Sequence, residues 1–213
     1  LMFHPIAFVQ GLFDERLDSH KGPQACCILS KQFYETDQAR GFVRGYNMQV
    51  SRGAGPLTTA MSGFASGTIP WGPGHHEAFA RRFDHVASIG IVCEDLPEAH
   101  NTVTLDPVLK DGDGIPAPKI SYRYGDNSLG MLAHGVARAE EALRAAGAVE
   151  VTASGPVRQA GWHLLGTARM GNDPATSVVN AWGRSHDVKN LFIVDGSIFV
   201  TAGGLNPAST IQA

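Results

Sequence analysis

The sequence predicts an α+β fold: a sheet-rich body with flanking helices, followed by a terminal strand–turn–helix of α/β character. Three observations predict it. Apolar runs of strand length, cut by Gly, Pro and Asp, recur between residues 4 and 124. One long stretch, "NSLGMLAHGVARAEEALRAAGA", instead repeats its apolar residues at helical spacing. Near the end, "NLFIVDGSIF" and then "NPASTIQA" read as a short buried strand, a turn and the start of a helix.

Taken in order, "HPIAFVQGLF" predicts a strand, "GPQACCILSKQF" carries a second, and "GFVRGYNMQVS" alternates enough for a third. Residues 52–74, "RGAGPLTTAMSGFASGTIPWGPG", are full of Gly, Ser, Thr and Pro and predict a long loop. Such a loop is either a lid or binding loop, or a plain surface excursion. Phe79, Phe83 and Val86 recur at helical spacing and predict a helix over 75–86. "SIGIVCED" predicts a buried strand. Residues 102–124 predict two strands joined by the Asp/Gly connection "DGDG". In the long helix, Leu129, Leu132, Val136, Ala139 and Leu143 share one face, with Asn127 as N-cap and Gly147 as C-cap. "VEVTAS" predicts a further strand.

Composition narrows the function. With 213 residues the chain can bury a sizeable core, and 43% hydrophobic and 17% charged residues are ordinary for a globular protein. A net charge of −3 provides no basic stripe, which argues against nucleic acid as a partner. No apolar run reaches the roughly 18 residues of a membrane-spanning helix. Cys26, Cys27 and Cys93 form neither a disulfide framework nor a zinc spacing and are read as buried free thiols. No metal site is expected. His75 and His76 are adjacent and cannot share a helix face, and "DGDG" lacks the remaining ligands of a calcium loop. The strand-like start at Leu1 and the end inside a helix at Ala213 predict a piece of a longer polypeptide, so the compartment stays open.

The candidate chemistry lies in residues 161–213. His163 stands between Trp162 and Leu164, an apolar setting that favours the neutral imidazole. A histidine is suited to general-base work because its ordinary pKa lies near neutrality. Asn206–Pro207 is a helix start, with Asn206 at the N-cap and Pro207 at the first helical position. Three pieces occur in order: "HLLGTARMG", "VVNAWGRSHDVKNLFIVDGSIF" and "NPASTIQA". Together they resemble the C-terminal part of the glucose–methanol–choline (GMC) flavoprotein oxidoreductases. They match that family's His-x-x-Gly-Thr-x-x-Met-Gly element, its Arg-x-His-x-Val-x-Asn-Leu-Phe run, and its Asn-Pro helix start. "NTVTLDPVLKDGDGIPAPKISYRY" is similar to a further upstream segment of the family.

The resemblance implies a substrate-binding region over 1–160 and an active-site and FAD-domain segment over 161–213. It implies FAD as cofactor and an alcohol as substrate, a sugar or polyol first. His163 would accept the hydroxyl proton. Asn206 would orient the hydroxyl, a place where the family uses His or Asn. Asp195, Gly196, Asn206, Pro207 and Thr210 would lie along the flavin, and Gly166, Thr167, Met170 and Gly171 would support His163. Arg184 and His186 belong to the motif's core, with His186 structural. Trp71, Phe64, Trp162 and Tyr46 could stack on a pyranose. The family's Gly-x-Gly-x-x-Gly fingerprint would lie ahead of Leu1, so this chain alone is expected to bind FAD poorly. The alternative is a catalytically incompetent fragment or subunit that needs a partner chain carrying the dinucleotide-binding half. The electron acceptor, and with it oxidase versus dehydrogenase, stays open.

Overall fold

The computed structural model describes residues 1–22, 26–157 and 161–213. In chain order the elements are β1 (Ile6–Leu12), β2 (Cys26–Ser30), β3 (Tyr46–Ser51), α1 (Pro56–Ser66), α2 (His75–Arg82), β4 (Val86–Cys93), β5 (Thr102–Lys110), β6 (Pro116–Ser121), α3 (Asp126–Ala145), β7 (Glu150–Ser154) and α4 (Ala208–Gln212). The fold class is α+β, as expected. Five strands form one sheet in the order β2-β3-β4-β1-β7, and every pairing in it is antiparallel. β5 and β6 form a separate hairpin.

Strand alternation decides what each face of the sheet does. Ala7 and Val9 of β1, Tyr46 and Met48 of β3, and Ile89, Ile91 and Cys93 of β4 turn to one side. There they meet Met131, Leu132, Ala139 and Leu143 of α3 in the main core. α3 is helical by composition, being rich in Ala, Glu, Arg and Leu. It ends at Ala145 with Ala146, not Gly147, as the C-cap; Gly147 follows at a φ of 99°, a conformation open to glycine. α3 comes close to the sheet because position 135 has no side chain. A Cβ there would lie 2.6 Å from Ile91 Cγ2 and 3.3 Å from the Tyr46 ring. Gly135→Val is therefore expected to cost about 1–3 kcal/mol, the usual size of core overpacking; the urea midpoint measures it, and an unchanged midpoint contradicts this packing.

The opposite face carries Asn47, Gln49 and Ser51 of β3, Ser88, Gly90 and Val92 of β4, and Ile6, Phe8 and Gln10 of β1. Its residues are smaller and more polar, and the chain's terminal segment packs on it.

Several expectations need correction. Residues 52–74 are not one loop, because α1 runs through them. Pro56 starts it, Gly67 with φ 71° stops it, and Gly63 fits against Ile69. α2 ends at Arg82 rather than 86. Asp84 turns the chain at φ 67°, its buried carboxylate held by Arg16 at 3.0 Å and by His20. Val86 then opens β4. Asn127 does not cap α3; Gly125 occupies the cap, and the Asn127 amide instead bonds both the N–H and the C=O of Val43. Leu129 is 43% exposed, and the core face of α3 runs through Ser128, Met131 and Gly135 instead. Of the three cysteines only Cys93 is buried; Cys26 and Cys27 lie on the exposed edge strand β2.

"NLFIVDGSIF" is not a ladder strand. It makes one isolated bridge, Arg184 with Phe192, and then a 3-10 turn over Gly196–Ile198. Leu191, Phe192 and Val194 stay exposed. Apolar character called for burial, but among the described residues no strand lies alongside to pair with it. "DGDG" is the hairpin connection it was read as: Asp111 Oδ1 accepts from the N–H groups of Asp113 and Ile115 at 3.0 and 2.9 Å. Among the described residues no helix is long and apolar enough to cross a membrane.

Candidate active site

His163 is placed where the first residues of the chain meet residues 161–165. Met2 and Leu165 exchange two backbone hydrogen bonds of 2.9 Å each, so residues 161–165 lie against the start of β1. Gly166 follows at φ 83°, a backbone conformation that favours glycine, and leaves room for the Met2 side chain. His163 itself adopts φ 56°, a left-handed conformation that costs a residue with a Cβ about 1–2 kcal/mol. Held this way, its ring meets that of His4 edge to face, with centroids 4.9 Å apart and planes at 82°.

His4 is buried, and its Nδ1 lies 3.0 Å from the Cys93 carbonyl. A carbonyl only accepts, so Nδ1 carries the proton and Nε2 is a bare lone pair. That Nε2, and Nδ1 of His163, are buried with no hydrogen-bond partner among the described residues. Burial holds the His163 pKa below the usual imidazole value. It lowers that of His4 too; the Cys93 contact opposes this and His163 next door adds to it. Both rings are therefore neutral near pH 7, the state a base requires.

Asn206 comes to the sheet's open face. Gln49 Nε2 donates to Asn206 Oδ1 at 2.9 Å, and Asn47 Nδ2 donates to the Gly204 carbonyl. Asn206 is not the helix cap. Pro207 holds that position, and α4 starts at Ala208 with no side-chain cap bond. The Asn206 side chain is thus free of capping duty: its oxygen is taken by Gln49, and its NH₂ has no partner among the described residues.

Several other sequence-predicted residues gather around the Met2–Leu165 bridge. Met2, Leu165 and Ala202 form a small core with Phe199 and Ile211. Residues 166–170 run beside the 3-10 turn, with Ala168 N–H to Ser197 and Met170 N–H to Ile198 carbonyls, both 2.8 Å. Asp195 starts that turn by accepting from the Ser197 N–H at 2.8 Å; a hydrogen bond from the Ser197 side chain, and then this backbone one, hold its carboxyl below the usual range. A Cβ on Gly196 would lie 2.9 Å from the Leu164 carbonyl and 3.3 Å from Ile211, so only glycine fits between the His163 segment and α4. Pro207 and Thr210 sit on α4, Thr210 exposed. His186 Nε2 contacts Ser177 Oγ at 3.0 Å and the Gly171 carbonyl at 3.2 Å.

The stacking candidates divide. Tyr46 is buried in the main core, its hydroxyl 2.8 Å from His134 Nδ1, and offers no face to a substrate. Phe64 and Trp71 pack on each other beside α2, with Trp71 87% exposed. Trp162 adjoins His163 in the chain and is half-exposed. Sequence reasoning missed His4, Asn47 and Gln49. The last two had a signal: polar residues two apart in "YNMQVS" mark one face of a strand.

Two cavities, of about 460 and 700 Å³, open beside the Met2–Leu165 bridge, and neither has His163 or Asn206 in its wall.

Comparison with known proteins places this arrangement. The profile of the GMC oxidoreductase family matches residues 97–213. The 2-methyl-1,2-propanediol dehydrogenase of Mycolicibacterium austroafricanum is 43% identical over 93% of this chain and 36% of its own length. The 6'''-hydroxyparomomycin C oxidase of Streptomyces lividus is 42% identical, covering 65% of this chain and 24% of itself. The gluconate 2-dehydrogenase flavoprotein of Pantoea cypripedii is 30% identical over 81% of this chain and 29% of itself. This chain belongs to the GMC oxidoreductase family, and it spans about a quarter to a third of the length of the curated relatives it matches.

Proposed function

We propose that this chain forms the substrate side of an FAD-dependent GMC enzyme that oxidises an alcohol, a sugar or polyol foremost. The neutral His163 imidazole carries the reading. It is held beside His4 on the same small core that seats α4 and the loop of Asn206. The names of the relatives, which act on a diol, an aminoglycoside and gluconate, agree with this substrate class.

In the proposed reaction, His163 takes the hydroxyl proton as the carbinol C–H bond breaks. The free NH₂ of Asn206 donates to the substrate oxygen and fixes the direction of that C–H bond. FAD, when bound, supplies the hydride acceptor. The chain's residues fit the reactive end of such a cofactor: an imidazole with a ring nitrogen that has no partner among the described residues, an amide whose oxygen alone is bonded, and the tight Asp195–Gly196 turn. Asp195, Gly196, Asn206, Pro207 and Thr210 would line it. They do not fit its pyrophosphate, because no Gly-x-Gly-x-x-Gly turn is present in the sequence.

The remaining wall must come from a dinucleotide-binding half. Exposed Leu191, Phe192, Val194 and Trp182 offer an apolar surface for it, which also favours the reading that this chain does not turn over alone. Calorimetric titration of FAD into the 213-residue chain tests this. Affinity weaker than about 1 μM is expected, and tighter binding contradicts the division of labour. Anaerobic bleaching of the holoenzyme's flavin by alcohols tests the reaction itself.

A further inference from the structure

β3 sends alternate side chains to opposite sides. Tyr46, Met48 and Val50 pack toward α3, while Asn47 and Gln49 face the terminal loop. The two polar residues grip that loop at two points, two residues apart on each side: Asn47 on the Gly204 carbonyl, Gln49 on Asn206 Oδ1 at 2.9 Å. Gln49 pairs across the sheet with Gly90, and Phe8 of β1 lays its ring over that glycine, where a Cβ would come within 3.1 Å of the ring. On this face, then, the Phe8 ring fills the place next to Gln49 that a side chain at Gly90 would take.

A primary amide presents a donor on one arm and an acceptor on the other, and half a turn exchanges them. For a substrate hydroxyl losing its proton the two ends differ. An N–H stabilises the developing negative charge on oxygen, while a C=O repels it. We propose that Gln49 is a positioning residue for the candidate site: by donating to Asn206 Oδ1 it holds that amide with its NH₂ turned toward the substrate oxygen. The inference rests on the role given to Asn206 above.

Side chains at position 49 that can only accept or only donate read the orientation directly. In Gln49→Glu the carboxylate captures the Asn206 NH₂ and turns its oxygen outward. In Gln49→Lys the ammonium donates as glutamine does. The measurement is steady-state oxidation of 2-methyl-1,2-propanediol by the holoenzyme with an artificial dye as electron acceptor, with KM and kcat resolved and melting temperatures recorded. Gln49→Glu is expected to lower kcat about 10–100-fold, the usual scale of a misdirected positioning contact. Its KM should stay within about threefold and its melting temperature should hold. Gln49→Lys should retain most of the rate. In an Asn206→Ala background, Gln49→Glu should add less than about twofold, because a residue acting through Asn206 has nothing left to act on.

A slow Gln49→Lys with a normal Gln49→Glu reverses the orientation and overturns the proposal. So does an equal Gln49→Glu loss in both backgrounds, which would mark a role independent of Asn206. A slow Asn206→Ala with a normal Gln49→Glu overturns this inference alone. Asn206→Ala at the wild-type rate removes the reading of the site, and the inference with it.

Discussion

Replacing His163 with Ala in the holoenzyme is expected to slow flavin reduction by about 10²–10⁴-fold, the usual worth of a positioned general base. Anaerobic stopped-flow measures the step without interference from reoxidation. The argument rests on His163 being neutral and within a fixed frame: its left-handed backbone, the Met2–Leu165 bridge behind it and the His4 ring against it. Its pH dependence has a definite sign. A base works when unprotonated, and burial lowers the pKa of His163. The acid limb of kcat/KM should therefore fall below the ordinary imidazole value of about 6.5, so activity persists as pH drops through that value and disappears lower. A loss under about fivefold in His163→Ala, or an acid limb above neutrality, would demote the residue to a structural one.

Asn206→Asp is the second large effect. As a helix cap, Asn206 would tolerate Asp without consequence, since the two are equally good there. The structure removes that reading, because Pro207 is the cap and the Asn206 side chain makes no cap bond. Asp can still accept from Gln49, so the loop should stay in place and the melting temperature should change little. Its second oxygen, however, turns a negative charge toward the substrate oxygen where the NH₂ stood. A rate loss of at least about tenfold is expected, the scale of a lost charge-stabilising donor. Recording the melting temperature and the anaerobic reduction rate on the same Asn206→Asp protein decides it; an unchanged rate would leave Asn206 without a chemical role.

Much of the fold was legible because it follows local period. α3 and the core strands announce themselves by spacing, and their partners obey the same spacing. α1 was hidden by its composition: Thr58, Thr59, Ser62, Gly63 and Ser66 are poor helix formers. The signals for the helix were local all the same: Pro56 and Gly67 mark its ends, and Gly63 fits against Ile69 six residues on. α2 was drawn too long because Asp84 answers to Arg16 and His20, 68 and 64 residues earlier, which no local window contains. In the site, His163 and Asn206 stood in recognisable motifs. His4 and Gln49 did not, since each matters only through a partner brought up by folding.

The grip of β3 on the terminal loop has a consequence for how the molecule is made. Both of its contacts span 157 residues, and the backbone bridge behind His163 joins Met2 to Leu165. The sheet and α3 are complete within residues 6–154. On the ribosome, then, the core can close while β3 still shows its polar side chains to solvent. Asn47 and Gln49 must wait for residues 204–206 to leave the exit tunnel, long after the strand that carries them has paired. Because long-range closures form late, a nascent chain stalled after Ser154 has emerged but before Asn206 has done so would carry a folded core and an unassembled candidate site.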